Sequence, residues 1–270
     1  MIVARTLREL EQALDPLRRS SIGLVPTMGA FHEGHASLFR AARDESDAVV
    51  VSLFVNPAQF AKGEDLDRYP RDEKGDHALA DELGVDVLFI PEHDEIYPPG
   101  FQTCIEVEEL GRGLEGAFRP GHFRGVATVC LKLFNLVRPT RAYFGQKDAQ
   151  QAAVIRRMVR DLNVPVEIRV LPTVRDADGL ALSSRNAYLA PEERERALAL
   201  PRALATKDPT KARELLRDLE VEYVEVADFE PKVLAAAVRV GSTRLIDNVI
   251  LEVPCPASAW LGRTQKGGTQ

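Results

Sequence analysis

The feature that most constrains the fold of this chain is a regular alternation of short apolar runs with segments of helical spacing. Five runs are rich in Val and Ile and are bounded by Gly, Pro or Asp, which is typical of buried strands. These predicted strands are SIGLVPT (21–27), DAVVVSLFV (47–55), VDVLFIP (85–91), RAYFG (141–145) and VEIRVLPTV (166–174). Continuous apolar strands separated by helices predict a parallel sheet that is covered on both faces.

Four intervening segments carry apolar residues at the spacing of an amphipathic helix. They are HASLFRAARDES (35–46), LDRYPRDEKGDHALADELG (66–84), FRGVATVCLKLFNLVR (123–138) and DAQQAAVIRRMVRDLN (148–163). In parallel α/β sheets, ligands bind at the carboxyl ends of the strands, beside the switch in strand order. The loops after residues 27, 55, 145 and 174 are therefore the first places to look for a site.

The pattern changes near residue 189, which predicts a domain boundary there. PEERERALALPRAL (191–204) predicts a helix with Pro191 in its first turn, and KDPTKARELLRDL (207–219) predicts a shorter one. VEYVEVADF (221–229), AAAVRVGSTRLIDN (235–248) and VILEV (249–253) predict strands, and the last nine residues are expected to be frayed. The expected fold is a Rossmann-like, doubly wound α/β domain over 1–189 with a smaller C-terminal α+β domain over 190–270.

Composition excludes several classes of protein. A net charge of −6 and a pI near 5.5 argue against a nonspecific binder of nucleic acid or of a membrane surface. No apolar run reaches the ~18 residues of a membrane-spanning helix, and the N-terminus has no pattern of a secretory signal. Cys104, Cys130 and Cys255 form no disulfide framework and no C-x-x-C pair, which favours packing roles in a reducing cytoplasm.

The stretch PTMGAFHEGH (26–35) follows the first predicted strand and has three possible interpretations. A zinc site would need further ligands, and the other histidines (His77, His93, His122) are isolated from one another. A helix start with incidental histidines is the second interpretation. The third is an anion site, because the glycines permit close backbone approach and the first-turn N–H groups attract negative charge. The H-x-G-H pattern favours nucleotidyl transfer and is shared by nucleotidyltransferases and class I aminoacyl-tRNA synthetases.

FVNPAQF (54–60) places Asn56 and Gln59 directly after a buried strand. Amide side chains both donate and accept hydrogen bonds, which suits a small molecule that carries hydroxyl and carboxylate groups. An Asx turn that leads into Pro57 would explain the same residues equally well.

Two later loops carry phosphate-binding chemistry. In FGQKDAQQ (144–151), Gly145 allows close approach, Lys147 supplies a point charge, and Asp148 can accept from ribose hydroxyls, with Gln151 on the same helical side as Asp148. A charged helix cap is the alternative. In DGLALSSRN (178–186), two serines and an arginine in sequence form a possible phosphate clamp, for which the alternative is a surface turn.

Taken in order, these motifs resemble the pantothenate synthetase (pantoate–β-alanine ligase) family. The resemblance also rests on YPRD, GHFRGVATV, KLFNLVRP and VRVGSTRLIDN, and it extends from residue 20 to about 253. FVNPxQF and GLALSSRN are far more specific than H-x-G-H alone.

The resemblance implies an ATP- and Mg²⁺-dependent ligase that condenses D-pantoate with β-alanine through pantoyl adenylate, releasing pyrophosphate and AMP. It also implies a cytoplasmic homodimer. Two other classes stay open at this stage. One is a nucleotidyltransferase of the same superfamily, which keeps the nucleotide on its product. The other is a nucleotide-binding module without turnover.

The resemblance also implies roles for individual residues. His35 corresponds to the designated proton donor of the family, although stabilisation of phosphate charge is its expected physical task. Gln59 and Gln151 resemble the pantoate-binding glutamines, with Asn56 beside them, and Asp76 is a candidate outer-shell partner of Mg²⁺. The expected catalytic residues are His32, His35, Lys147, Ser183, Ser184 and Arg185. The expected ATP-binding residues are Met28, Gly29, Ala30, Phe31, His32, Glu33, Gly34, His35, Gly145, Gln146, Lys147, Asp148, Val174, Leu182, Ser183, Ser184 and Arg185.

Two positions depart from the pattern of the family. Residue 146 is Gln where some members carry Glu, which alters the charge beside the expected triphosphate. The segment ATKDPTKARELL (205–216) is short compared with the usual C-terminal domain of the family, which indicates a trimmed helix or linker.

Overall fold

The computed structural model describes residues 1–61 and 63–251 of the chain, and its larger unit is built on a six-stranded parallel sheet. The strands lie in the order β1-β4-β3-β2-β5-β6 and every pairing between them is parallel. Their bounds are β1 Ile2–Ala4, β2 Ile22–Thr27, β3 Ala48–Leu53, β4 Val87–Phe89, β5 Arg141–Gly145 and β6 Glu167–Leu171. The predicted doubly wound parallel sheet is confirmed.

Helices cover both faces of this sheet. They are α1 Leu7–Leu14, α2 Glu33–Glu45, α3 Glu73–Glu82, α4 His93–Ile96, α5 Glu115–Phe118, α6 His122–Val137 and α7 Ala149–Asp161. Successive strand residues alternate between the faces: Val50 packs in the core under α1, α6 and α7, whereas Val49 and Val51 pack under α2 and α3. Because side chains alternate along a strand, a strand that is apolar at every position requires cover on both sides.

The order of strands reverses direction at β2, which lies between β3 and β5. The chain passes from β2 through β3 to β4 on one side and then crosses to β5 on the other. The crossover opens a crevice at the carboxyl ends of β2 and β5, where α/β proteins of this kind bind ligands. Residues after Thr27 and after Gly145 therefore become neighbours.

The smaller unit contains a three-stranded antiparallel sheet in the order β7-β8-β9. Its elements are the helices α8 Pro191–Ala197, α9 Ala199–Ala205 and α10 Pro209–Leu215 and the strands β7 Glu220–Asp228, β8 Lys232–Val240 and β9 Thr243–Ile250. Its helices and sheet share a core that includes Leu200, Leu204, Leu234 and Val238, and Leu180 of the preceding loop packs into this same core.

Several local predictions were wrong. The strand β1 was missed, and the helix predicted from residue 66 begins only at Glu73, after Pro70, where Asp72 caps it. The single helix predicted over 191–204 is interrupted at Leu198, and residues 249–250 continue β9 rather than form a strand of their own. Residues 252–253 of that segment, Cys255 and the frayed end predicted over 262–270 lie outside the described residues. Cys104 is a free, exposed thiol and Cys130 a free, buried one.

Among residues 1–61 and 63–251, no helix has both the length and the apolar character that crossing a bilayer demands.

Candidate active site

One cavity lies at the switch in strand order, and it gathers side chains from all the loops that the sequence singled out. Its wall includes residues that follow β2, β3, β5 and β6. The predicted residues that line it are Met28, His32, Gly34, His35, Asn56, Gln59, Gly145, Lys147, Asp148, Gln151, Val174, Leu182, Ser183, Ser184 and Arg185.

The two histidines lie at the start of α2, and the centroids of their imidazole rings are 4.2 Å apart. His32 is the N-cap residue, and its Nδ1 accepts a hydrogen bond from the Gly34 N–H at 3.1 Å. Nδ1 of His35 accepts in turn from the His32 N–H at 3.3 Å. Because Nδ1 is an acceptor in both rings, each neutral imidazole carries its proton on Nε2. The pair therefore offers two Nε2–H donors beside a helix N-terminus.

The local environment keeps both imidazoles uncharged. Burial, followed by the Lys147 ammonium, lowers the pKa of His32 to about 4. Burial, His32 and Lys147 together lower the pKa of His35 to about 3. The carboxylates of Asp148 and Asp176 only partly offset the effect of Lys147 on the pKa of His32, and the ammonium beside two Nε2–H donors suits an anionic ligand.

Asp76, predicted as an outer-shell partner of Mg²⁺, lies beneath the loop that leads into the histidines. Its Oδ2 accepts from the Ala30 N–H at 2.8 Å and its Oδ1 accepts from the Phe31 N–H at 2.5 Å. Ala30 has a φ of +52° and Gly29 a φ of +86°, so this turn occupies the left-handed region. The carboxylate is buried, and burial raises its pKa. These contacts favour a role in holding the loop.

Asn56 uses its whole side-chain amide within the protein. Oδ1 accepts from the Tyr97 hydroxyl at 3.0 Å and from the Ala58 N–H at 3.2 Å. Nδ2 donates to Gly125 O at 3.2 Å and to Oε1 of Gln59 at 3.0 Å. A Cβ on Gly125 would lie 2.3 Å from Ala58 O, so glycine is required for this close approach.

These bonds determine which end of Gln59 faces the cavity. Its Oε1 is occupied by Asn56, and its NH₂ group lies 3.0 Å from the Met28 sulfur. Gln59 therefore presents a donor to a ligand. In the part of the chain that the structure describes, the Gln151 amide has no hydrogen-bond partner, which leaves it free to bind.

The segment after β5 presents Lys147 and Asp148 to the cavity, with the ammonium 3.7 Å from the Asp148 carboxylate. Gln146 points away and contacts Asn248 of β9, with its Nε2 3.0 Å from Asn248 Oδ1.

The loop over 182–185 is tied to the histidine loop and to the segment after β6. The Ser184 hydroxyl donates to Ala30 O at 3.2 Å, and the Leu182 N–H donates to Val174 O at 3.0 Å. Nε and Nη2 of Arg185 donate to Asp65 at 2.7 and 2.8 Å, and its guanidinium lies over the Tyr69 ring. The arginine is thus held at the wall by an acidic partner that the sequence did not reveal.

Six predicted residues do not line this cavity. Phe31 packs edge-on against Phe39, Glu33 pairs with Arg40, and Gln146 faces the smaller unit. The complete set is Gly29, Ala30, Phe31, Glu33, Gln146 and Asp76.

Sequence reasoning assigned no role to several polar residues of the wall, among them Ser52, Tyr69, Arg119 and His122. Ser52 has a buried hydroxyl that finds no partner among the described residues. Tyr69 belongs to YPRD and His122 to GHFRG, both of which carried the resemblance without an assigned role. His122 donates from Nδ1 to Gln59 O at 2.9 Å and accepts from Arg119, whose guanidinium also pairs with Glu64.

A doubly wound sheet with the H-x-G-H helix start at its switch point defines the class of HxGH nucleotide-binding α/β proteins. A family model described as pantoate-beta-alanine ligase matches residues 2–250. The chain therefore belongs to the pantoate–β-alanine ligase family, and it is an enzyme of the ligase class.

Close relatives agree with this assignment. The pantothenate synthetase of Moorella thermoacetica is 55% identical over 262 residues, which cover 87% of this chain and 93% of that protein. A crystal structure of pantothenate synthetase from Thermus thermophilus aligns with a TM-score of 0.89 at 47% identity, covering 93% of this chain and 99% of that one. The pantoate–β-alanine ligase of Francisella tularensis, crystallised with β,γ ATP and β-alanine, aligns with a TM-score of 0.84 at 37% identity, covering 93% and 97% of the two chains.

Proposed function

We propose that this chain joins D-pantoate to β-alanine, with ATP as co-substrate and pantoyl adenylate as intermediate, and releases pyrophosphate, AMP and pantothenate. The observation that carries the proposal is the shared cavity in which two Nε2–H imidazoles and the Lys147 ammonium face the amide groups of Gln59 and Gln151. The first group of side chains suits a triphosphate, and the second suits a hydroxy acid. The ATP and β-alanine bound by the Francisella tularensis relative support the same substrates.

In the first step, a carboxylate oxygen of pantoate attacks the α-phosphorus of ATP. A new O–P bond forms while the bond from the α-phosphorus to the bridging oxygen breaks, and pyrophosphate leaves with that electron pair. Negative charge grows on the phosphate oxygens in the transition state. Donors that are already oriented toward such oxygens stabilise it without reorganisation. His32, His35 and Lys147 are the proposed donors, joined by Ser183, Ser184 and Arg185 around the departing phosphates.

In the second step, the amine of β-alanine attacks the acyl carbon of the adenylate. The C–N bond forms, the bond from the acyl carbon to the phosphate oxygen breaks, AMP leaves, and the nitrogen loses a proton. Adenylation is needed because a carboxylate alone is a poor acyl donor. Exclusion of water protects the reactive intermediate. We assign the exclusion of water to the C-terminal unit (190–270), which acts as a lid on the larger unit (1–189).

Gln59 and Gln151 are the proposed pantoate ligands. Gln59 donates from Nε2, because its Oε1 is occupied by Asn56. Gln151 can turn either end of its amide toward the ligand. Asn56 supports Gln59 and does not itself contact pantoate, since its own four hydrogen bonds are made within the protein.

Mg²⁺ is proposed to enter with ATP. The described residues contain no group of three or more His, Cys, Asp or Glu side chains that could hold a metal ion. Mg²⁺ commonly keeps several waters and binds through substrate phosphates, so such a group is not needed. When bound, the ion neutralises phosphate charge. Among the residues of this chain, Asp148 lines the cavity, whereas Asp76, the outer-shell candidate from the sequence, does not line it and uses both carboxylate oxygens on the histidine loop.

The remaining proposals concern the setting of the enzyme. Membership of the family supports a homodimer, and the composition of the chain supports a cytoplasmic enzyme that binds neither nucleic acid nor membrane.

The test is incubation with ATP, Mg²⁺, D-pantoate and β-alanine, followed by chromatography of the nucleotides and of pantothenate. AMP and pantothenate should appear in equal amounts and only when both acids are present. Formation of ADP, or AMP release that ignores pantoate, rules the proposal out. Retention of the nucleotide on the product would instead identify a nucleotidyltransferase, and binding without turnover would identify a regulatory module.

A pair of histidine variants tests whether His35 acts in adenylate formation. Exchange of pyrophosphate into ATP reports adenylate formation alone, so His35→Ala should slow this exchange while leaving pantoate binding nearly unchanged. His77→Ala is the matched control, because His77 is an exposed residue of α3 that does not line the cavity. Equal exchange rates in the two variants would contradict the role of His35.

A further inference from the structure

The C-terminal strand β9 reaches the nucleotide segment of the larger unit through one buried amide, that of Asn248. This side chain is 4% exposed. Its Nδ2 donates to two main-chain carbonyls, Gln146 O at 2.8 Å and Lys147 O at 2.9 Å. Its Oδ1 accepts from Nε2 of Gln146 at 3.0 Å. Both ends of the Asn248 amide thus form hydrogen bonds with two adjacent residues that lie about a hundred positions earlier in the chain.

The turn that Asn248 holds carries a residue of the cavity wall. Residues 146–148 form a short 3-10 turn between β5 and α7. Lys147 extends from this turn toward the histidine pair, where its charge lowers the pKa of both imidazoles. The direction of the Lys147 side chain follows from the orientation of its own peptide units, and Asn248 binds the carbonyl of Lys147 and the carbonyl before it.

Asp247 anchors Asn248 and also binds the loop after β6. Its Oδ1 accepts from the Asn248 N–H at 2.8 Å. Nη1 and Nη2 of Arg175 donate to its two carboxylate oxygens at 2.6 and 3.0 Å. Arg175 directly follows Val174, which lines the cavity. Residues 247–248 therefore hold two of the segments of the larger unit that are expected to contact ATP, the turn over 146–148 and the segment around Val174.

We propose that Asn248 is a positioning residue for adenylate formation, which it supports by fixing the turn that aims Lys147 at the phosphates. The proposal rests on the function proposed above. It means that the C-terminal unit contributes to the first chemical step through the backbone of the larger unit, without touching the nucleotide.

A second contact between the two units allows the positioning role of Asn248 to be distinguished from a general contribution to holding the units together. Glu115 of α5 accepts from Arg244 at 2.6 and 2.7 Å and from the Tyr223 hydroxyl at 2.8 Å. This cluster is buried and joins the same two units, but none of its hydrogen bonds involves residues 146–148. Tyr223→Phe removes one buried bond between the units and leaves the Lys147 turn intact, so it is the matched control.

The experiment compares Asn248→Asp with Tyr223→Phe in pyrophosphate–ATP exchange and in thermal unfolding. Asn248→Asp keeps the size of the side chain but turns a carboxylate oxygen toward the two carbonyls, so exchange should fall about 10- to 100-fold, as expected when a buried donor is lost and an acceptor faces acceptors. Tyr223→Phe should keep exchange within about twofold while lowering the melting temperature, as the loss of one buried hydrogen bond does. Asn248→Ala, which adds no charge, gives the same comparison if Asn248→Asp fails to fold.

A double-mutant cycle then tests whether Asn248 acts through Lys147. In a Lys147→Ala background there is no ammonium to aim, so a substitution at Asn248 should cost little further exchange activity. The same fold-loss in both backgrounds, or normal exchange in the Asn248 variants, overturns the inference. Absence of pantoate-dependent exchange in the unsubstituted enzyme would instead overturn the proposed function, so the two failures are distinguishable.

Discussion

Replacement of Asp76 by Asn tests how the histidine loop is held in place. The carboxylate accepts hydrogen bonds from two consecutive backbone N–H groups, those of Ala30 and Phe31. Asn offers one oxygen and one NH₂ group, so Asp76→Asn keeps one acceptor and sets a donor against a donor at the other position. The turn that loses support contains Gly29 and Ala30, both at positive φ.

The magnitude follows from these contacts. Loss of one buried, charge-assisted hydrogen bond costs about 2–3 kcal/mol. At about 1.4 kcal/mol per factor of ten, this lowers the population of the correctly shaped loop relative to its alternatives by about 30- to 150-fold. Ala30 adds to the pressure to relax, because a left-handed conformation is unfavourable by roughly 1–2 kcal/mol for a residue other than glycine. We expect kcat/KM for ATP to fall by one to two orders of magnitude.

Steady-state kinetics across a Mg²⁺ titration separate the two roles of Asp76. If the residue holds the loop, the loss persists at saturating Mg²⁺ and the Mg²⁺ concentration for half-maximal rate does not move. If it serves the metal, that concentration rises and high Mg²⁺ restores the rate. Asp72→Asn is the control, since it neutralises an exposed carboxylate that caps the same helix without contacting the loop. A value of kcat/KM for ATP within twofold of the unsubstituted enzyme would refute the loop role.

Three further substitutions test other contacts of the cavity. Asn56→Asp places an acceptor against Oε1 of Gln59, so the apparent affinity for pantoate should drop about tenfold with little change for ATP; kinetics with an unaltered pantoate KM would disprove this. His122 is buried, and burial and a neighbouring arginine lower its pKa to about 4. On acidification, the imidazole is therefore protonated near pH 6.5 in the unfolded chain but stays neutral in the folded chain until about pH 4. The contribution of His122 to the free energy of unfolding should therefore be fully present above pH 6.5 and should fall by about 2 kcal/mol between pH 7.5 and 5. In urea unfolding, the free energy of unfolding of His122→Gln should fall by about 2 kcal/mol less over this pH range than that of the unsubstituted enzyme. An equal fall in both proteins would be inconsistent with a neutral buried imidazole. Asp65→Asn frees Arg185 from its ion pair, and ATP should bind about two- to fivefold more tightly by calorimetry, as expected for loss of a competing, partly exposed partner; weaker binding would show that Asp65 orients the arginine instead.

Much of the fold follows from local sequence patterns. Apolar runs in which every position is suited to burial can be satisfied only by a sheet with helices on both faces, and three of the four polar motifs directly follow such a run. Parallel strands bring their carboxyl ends to one edge, so the convergence of these motifs was predictable before any contact was known. The three-residue strand β1 was not predictable, because so short a strand depends on its pairing with β4 rather than on its own residues.

The roles of single side chains within the site depended on contacts that the sequence does not encode locally. Asn56 and Gln59 both looked like ligands. Only the hydrogen bond that Asn56 accepts from Tyr97 and those that it donates to Gly125 O and Gln59 Oε1 show that its amide is fully used, while Gln59 presents a donor to the cavity. Asp76 was identifiable as an acid near the site but not as the support of a loop 46 residues earlier.

Asn248 is the clearest case of a role decided by tertiary structure. Its partners lie 101 and 102 residues away in the chain, and no periodicity or spacing connects them. Propensity and burial patterns act over a few residues, so the sequence by itself determined most of the strands and helices and the chemistry available at the ends of the predicted strands. Hydrogen bonds are directional and short, so which atom of each amide or carboxylate meets the ligand was decided only when the packed strands and loops brought distant residues within about 3 Å of each other.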